Sequence, residues 1–143
     1  MRYLLVFLFF SQSLLAQQFL TKTGVASFFS SAPLEDIEAV NNNLGAVIDL
    51  NSGKYAFKIA IQDFVFPSSL MQEHFNESYL ESEKYPYAVF QGEIVSFSSI
   101  DIQNKNKVVC KGDFTIHGVT NNVERESDLQ MIDSVLSIES SFN

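Results

Sequence analysis

Residues 44–61 constrain the fold more than any other stretch. From Leu44 to Leu50 the chain is β-friendly, Asn51-Ser52-Gly53 is a turn, and Lys54 to Ile61 is again a strand. Apolar runs on either side of a short turn read as a hairpin. In its second arm Tyr55, Phe57, Ile59 and Ile61 share one face, with Ala56, Lys58 and Ala60 on the other, because successive strand side chains point to opposite sides. Further strands are expected at Ala88–Phe97, Lys107–His117, Val119–Met131 and Ser134–Phe142, with an opening strand around Thr21–Ser30. Asn104-Lys105-Asn106 and His117-Gly118 mark turns between them. Such short connections favour antiparallel neighbours, and no βαβ alternation or internal repeat is visible. The pattern is that of an all-β domain of about seven strands, barrel or sandwich.

Only Ser68 to Leu80 breaks the strand spacing. Ser68 or Ser69 can cap a helix start, with Gln72 and Glu73 in the first turns. Leu70, Met71, Phe75 and Tyr79 then recur at helical spacing. The Met71 and Phe75 face is expected to rest on the β domain while Glu73, Glu77 and Glu81 stay in water. Lys84-Tyr85-Pro86 closes the segment, since proline cannot continue it.

The N-terminus reads as a secretory signal peptide. Arg2 precedes an unbroken apolar run from Tyr3 to Phe10, and Leu14-Leu15-Ala16 precedes Gln17. Cleavage is expected between Ala16 and Gln17, leaving a domain over 17–143. The apolar run is far shorter than the roughly 20 residues of a spanning helix, so export to the periplasm or the medium is expected rather than a transmembrane anchor. Cys110 is the only cysteine, which excludes an intramolecular disulfide. It is also too far from the cleavage site to be a lipidated first residue. A small buried hydrophobe is the expected role.

Seventeen acidic against nine basic residues give a net charge of −8. No basic stretch is present to grip a phosphate backbone, so nucleic acid is not an expected partner. The chain is 46% hydrophobic and holds 14 Phe, of which 11 lie after the leader. That excludes an intrinsically disordered chain and demands an apolar interior. Candidate chemistry is sparse. His74 and Glu77 stand three apart on the helix, but HExxH is absent and no third metal ligand is suggested. His117 sits at a strand end, where a hydrogen bond to its own turn is expected. No GxSxG elbow or glycine-rich phosphate loop occurs. Neither an enzyme nor a metal or cofactor site is expected. On composition alone the aromatic residues fill a core more readily than they line a ligand cavity.

Two segments carry a resemblance. Met71-Gln72-Glu73-His74-Phe75-Asn76-Glu77-Ser78-Tyr79-Leu80-Glu81-Ser82-Glu83-Lys84-Tyr85-Pro86, followed by Ala88-Val89-Phe90-Gln91-Gly92, resembles the signature of the YceI-like family, whose members are also called polyisoprenoid-binding or lipid-binding proteins. Gly112-Asp113-Phe114-Thr115-Ile116-His117-Gly118-Val119-Thr120 resembles that family's G-x-[LF]-T-[IL]-H-G-V-[TS] segment, at a family-like distance from the first. Residues 27–39 resemble the opening strand and loop of a short, signal-peptide-bearing branch.

The resemblance implies an extended lipocalin-like antiparallel β-barrel with one short helix and an elongated apolar interior. In relatives that interior holds an isoprenoid tail. Alternation then picks the expected lipid-lining residues, which the family motif does not specify: Phe57, Ile59, Phe90, Ile94, Phe114 and Ile116 from strands, Met71 and Phe75 from the helix. The expected function is an exported, non-catalytic carrier of an isoprenoid or similar lipid. The rival is a structural or stress-associated exported domain, packed solid and without a lipid. Relatives usually continue past the equivalent of Ser140-Ser141-Phe142-Asn143 into a further closing strand. The barrel is therefore expected to be incomplete, with an open edge through which a homodimer could form.

Overall fold

A computed structural model describes residues 17–31, 33 and 36–142; the expected leader, residues 1–16, lies outside them. Seven strands among the described residues form one antiparallel sheet in chain order: β1 (Gln18–Ser30), β2 (Ile37–Asp49), β3 (Lys54–Ala60), β4 (Tyr87–Ile94), β5 (Asn106–Ile116), β6 (Val119–Ile132) and β7 (Val135–Ser140). The sheet curls into a nearly closed barrel in which β1 and β7 are the two outer strands. The alternative of a sandwich is thereby resolved.

Short turns set this topology. β5 and β6 join through His117 and Gly118, with φ of 50° and 71°. β6 and β7 join through Asp133 and Ser134, at 46° and 65°. Two consecutive left-handed residues match the right-handed twist of a hairpin. The second turn lacks glycine, and β7 accordingly begins at Val135 rather than at Ser134.

Two boundaries differ more widely from expectation. β2 starts at Ile37, seven residues before Leu44. Its polar Asn41-Asn42-Asn43 forms a bulge opposite β1. There the buried Asn41 donates to the Ala60 carbonyl at 2.9 Å and accepts from the Asn43 amide at 2.8 Å. At the other end β4 stops at Ile94, and Phe97–Ser99 is a 3-10 turn. The Phe97 side chain lies against Gly53, where a Cβ would come within 2.6 Å of it.

The helix begins as expected. Ser68 Oγ accepts from the Met71 amide at 3.4 Å and α1 covers Ser69–His74. It then widens into a π turn over Phe75–Tyr79, closed by the Leu80 amide on the Phe75 carbonyl at 2.9 Å. The interior divides into two buried clusters. One, around Ile48, Tyr55, Ile94, Cys110 and Leu129, fills the end near the β2–β3 turn. The other, around Ile59, Ile61, Phe64 and Phe66, lies under the helix, with Met71, Phe75 and Leu80 packed on it.

Candidate functional site

The inward face of β3 and β4 builds the site. Register pairs Phe57 with Phe90 and Ile59 with Ala88, and β5 adds Phe114 opposite Phe90. These side chains face inward. They border a cavity of about 390 Å³ whose wall also includes Ile61, Phe64, Phe75, Leu80, Ile116 and Phe142. That volume lies within the range of small-molecule sites, about 300–1,000 Å³. The wall is almost wholly apolar, so water inside would find few polar partners.

Six of the eight residues expected from the sequence line this cavity: Phe57, Ile59, Phe75, Phe90, Phe114 and Ile116. Met71 lines an adjoining pocket of about 360 Å³ beneath the helix, which shares Phe28, Phe75 and Leu80 with the first. Ile94 stands apart, 3% exposed within the packed cluster at the opposite end. Its inward register is as alternation gives it, but the barrel is filled at that level.

Phe28 joins the two pockets and was not among the expected residues. Its ring stacks on Phe75 at 5.4 Å and stands edge-on to Phe64 and Phe66 at 5.6 and 5.7 Å. Sequence hides it because Phe28 and Phe29 are adjacent, so period-two alternation must turn one of the two outward. Phe29 is that one, 64% exposed.

The cavity also opens sideways. A cleft of about 870 Å³ runs between β1 and the end of β7, bordered by Val25, Ser27 and Phe29 on one side and Ile138, Ser140 and Phe142 on the other. It shares Ala26, Phe28, Leu44, Phe57, Phe90 and Phe142 with the cavity.

The helix closes one end of this space. Phe75 is half-buried and touches three aromatic rings. Phe75→Ala is therefore expected to cost about 2–3 kcal/mol, below the ~3–5 kcal/mol of a fully buried phenylalanine, measured by urea unfolding. A loss under about 1 kcal/mol, typical of a surface change, would mean that the helix is only loosely held.

A second tie holds the same segment. His117 does not bond to its own turn as expected: its Nε2 donates to Glu81 Oε2 at 2.7 Å. Tyr85 stands edge-on to the imidazole with ring centres 4.9 Å apart. The chain following the helix is thus pinned to the β5–β6 turn. Glu81 is half-buried here, whereas Glu73 and Glu77 are exposed as expected. The hydrogen bond from His117 holds the Glu81 carboxyl below its ordinary value, partly opposed by desolvation and reinforced by Lys84. Its contribution to stability is complete above the ordinary glutamate pKa of 4.5 and is lost as pH falls through the lowered value. The melting-temperature gap between wild type and Glu81→Gln is therefore expected to shrink toward zero on acidification. A gap that is constant with pH would show that the carboxylate charge is not what the pair uses.

Two further titratable groups lie at the interior or at its border. Cys110 is fully buried, and burial pushes its thiol up, with a hydrogen bond from Ser127 opposing. His74 borders the pocket beneath the helix. Among the described residues no three His, Cys, Asp or Glu side chains come together as a metal site would require, and no helix is long and apolar enough to cross a membrane.

Comparison with known proteins places this architecture. In a polyisoprenoid binding domain from Saccharophagus degradans, the matched region covers 83% of this chain and 70% of that one, at 13% identity and a TM-score of 0.68. The YceI protein of Campylobacter jejuni is 16% identical, with 77% of this chain and 54% of that one covered and a TM-score of 0.45. The search of curated proteins returned no match. The model of the YceI-like domain matches residues 21–142, nearly the whole of the described barrel. The chain belongs to the YceI-like domain family.

Proposed function

We propose that this protein binds the apolar tail of an isoprenoid or similar lipid inside the barrel, without catalysing a reaction, and does so after export to the periplasm or the medium. The carrying observation is the apolar cavity bounded by Phe57, Phe90 and Phe114 and continuous with the lateral cleft. Each methylene moved from water into such a wall gains about 0.8 kcal/mol, and a polyprenyl tail offers many. The ligand class of the Saccharophagus degradans domain supports the choice of isoprenoid. Export rests on the charged, apolar and small-residue order of residues 1–16. Absence of catalysis is supported by the position of the Glu81–His117 pair, which borders neither the cavity nor the pocket under the helix.

The rival reading, a domain packed solid and without a lipid, draws on the two buried clusters around Leu129 and Ile61, and the apolar cavity weighs against it. Self-association belongs to the same proposal. β1 is a long outer strand carrying exposed Leu20, Val25 and Phe29, a surface suited to edge pairing with a second copy. Native mass spectrometry of protein purified under mild conditions tests both parts. A co-purifying or added polyprenyl lipid seen on the folded chain supports the carrier. A chain that stays empty with added lipid overturns it, and a strictly monomeric spectrum at high concentration overturns the pairing.

A further inference from the structure

Three spaces meet at one side chain. Among the lining residues Phe28 alone borders the cavity, the pocket beneath the helix and the lateral cleft. It sits on β1 with its ring inward, between the exposed Ser27 and Phe29. Its partner across the β1–β2 pair is the small, buried Ala39, and its ring packs on Phe64, Phe66 and Phe75. Phe75 in turn meets Phe64 and Phe66, so aromatic rings fill the junction.

The widened turn of the helix completes this junction. At about 3.6 residues per turn, side chains five apart in an α-helix point in different directions. The π turn instead closes its hydrogen bond over that longer span, from the Leu80 amide to the Phe75 carbonyl at 2.9 Å. Leu80 is thereby brought back to the side of Phe75, and both border the cavity and the pocket beneath the helix. Glu81, next in the chain, is held by His117 at 2.7 Å, which fixes Leu80 from its other side.

We propose that Phe28, Phe75 and Leu80 form a partition that sets how much of an isoprenoid tail the barrel encloses. The inference rests on the tail-binding reading above and adds to it what limits tail length. The spaces on the two sides are alike in size, about 390 and 360 Å³. Phe57 and Ile59 on one side are matched by Ile37, Phe66 and Met71 on the other. Both walls are mainly apolar, so bulk rather than polarity stops a hydrocarbon there. Removing the Phe28 ring would join the two spaces and nearly double the volume open to the tail. The lateral cleft borders Phe28 but neither Phe75 nor Leu80. A tail entering from the cleft thus reaches the cavity past Phe57 and Phe90, without crossing the partition.

Nuclear Overhauser contacts and calorimetric titration test the partition with geraniol, farnesol, geranylgeraniol and geranylfarnesol, each one isoprene unit longer than the last. In the wild-type chain no contact is expected between a bound alcohol and the methyl group of Met71, which lines the pocket beneath the helix. In Phe28→Ala the longest alcohol should reach that methyl. The ratio of geranylfarnesol to geraniol affinity should then rise about tenfold or more, as a further unit leaves water. Phe28→Leu, which keeps an apolar side chain on β1, should move both readouts in the same direction by less. Melting curves of each variant confirm a folded barrel. A wild-type chain whose bound alcohol touches Met71, or folded variants that keep the wild-type affinity ratio, overturns the partition while the tail-binding reading stands. Failure of every alcohol to bind the wild type overturns the two together.

Discussion

Replacing Phe57 by aspartate is expected to abolish binding of an apolar tail. Phe57 is half-buried, lies 5.4 Å from Tyr55 and 6.4 Å from Phe90 between ring centres, and borders both the cavity and the lateral cleft. Its flanking inward residues are Tyr55 and Ile59, and Lys58, which also borders the cavity, has its ammonium engaged over the Tyr87 ring at 3.8 Å. An unpaired carboxylate beside a bound hydrocarbon costs several kcal/mol, and about 1.4 kcal/mol corresponds to each tenfold in affinity. A loss exceeding about 100-fold follows, readable by calorimetric titration. Circular dichroism must show the same β signal as the wild type. A folded Phe57→Asp chain that still binds would mean that the tail lies elsewhere.

Gly92→Ala is expected to have the largest effect on stability. A Cβ at Gly92 would stand 2.0 Å from the Lys111 carbonyl oxygen and 2.5 Å from the Gly112 Cα. The opposing Gly112 is equally crowded, with the Gln91 carbonyl oxygen 2.1 Å from its Cβ position. Both obstacles are backbone, so no rotamer change relieves them and β4 must separate from β5. The cost is expected at about 3 kcal/mol or more, the upper range of overpacking. For a domain of this size the melting temperature should fall by roughly 10 °C. A fall of less than about 2 °C would show that the two strands part easily.

Much of the barrel is legible in the amino-acid order because its inward residues are large and its outward ones are not. Tyr55, Phe57, Ile59 and Ile61 separate cleanly from Lys58, and that contrast alone orients β3. The Ser68 cap and the helical spacing after it are equally local signals. What escapes is structure held by partners distant in the chain. Asn41 lies before the expected strand, and its tie into β2 is the Ala60 carbonyl, 19 residues away, that receives its amide. His117 reads as a turn residue until Glu81 is brought beside it. The cavity is also beyond reach of pattern alone. Phe57 and Ile94 both point inward, yet one borders a space and the other a packed cluster, and only their different levels along the barrel decide which.

The seam between β1 and β7 changes how a long molecule can be loaded. A barrel open only at its rim must be threaded, and threading time grows with every unit of the chain drawn through. A slot along the wall admits a flexible tail broadside, so that all its segments settle at once. Affinity then rises with tail length while the association rate stays nearly flat, and selectivity for long tails resides in how slowly they leave. Stopped-flow mixing with apolar-tailed probes of increasing length is expected to show that separation. An association rate falling steeply with length would instead mean that the tail enters end-on, past the helix.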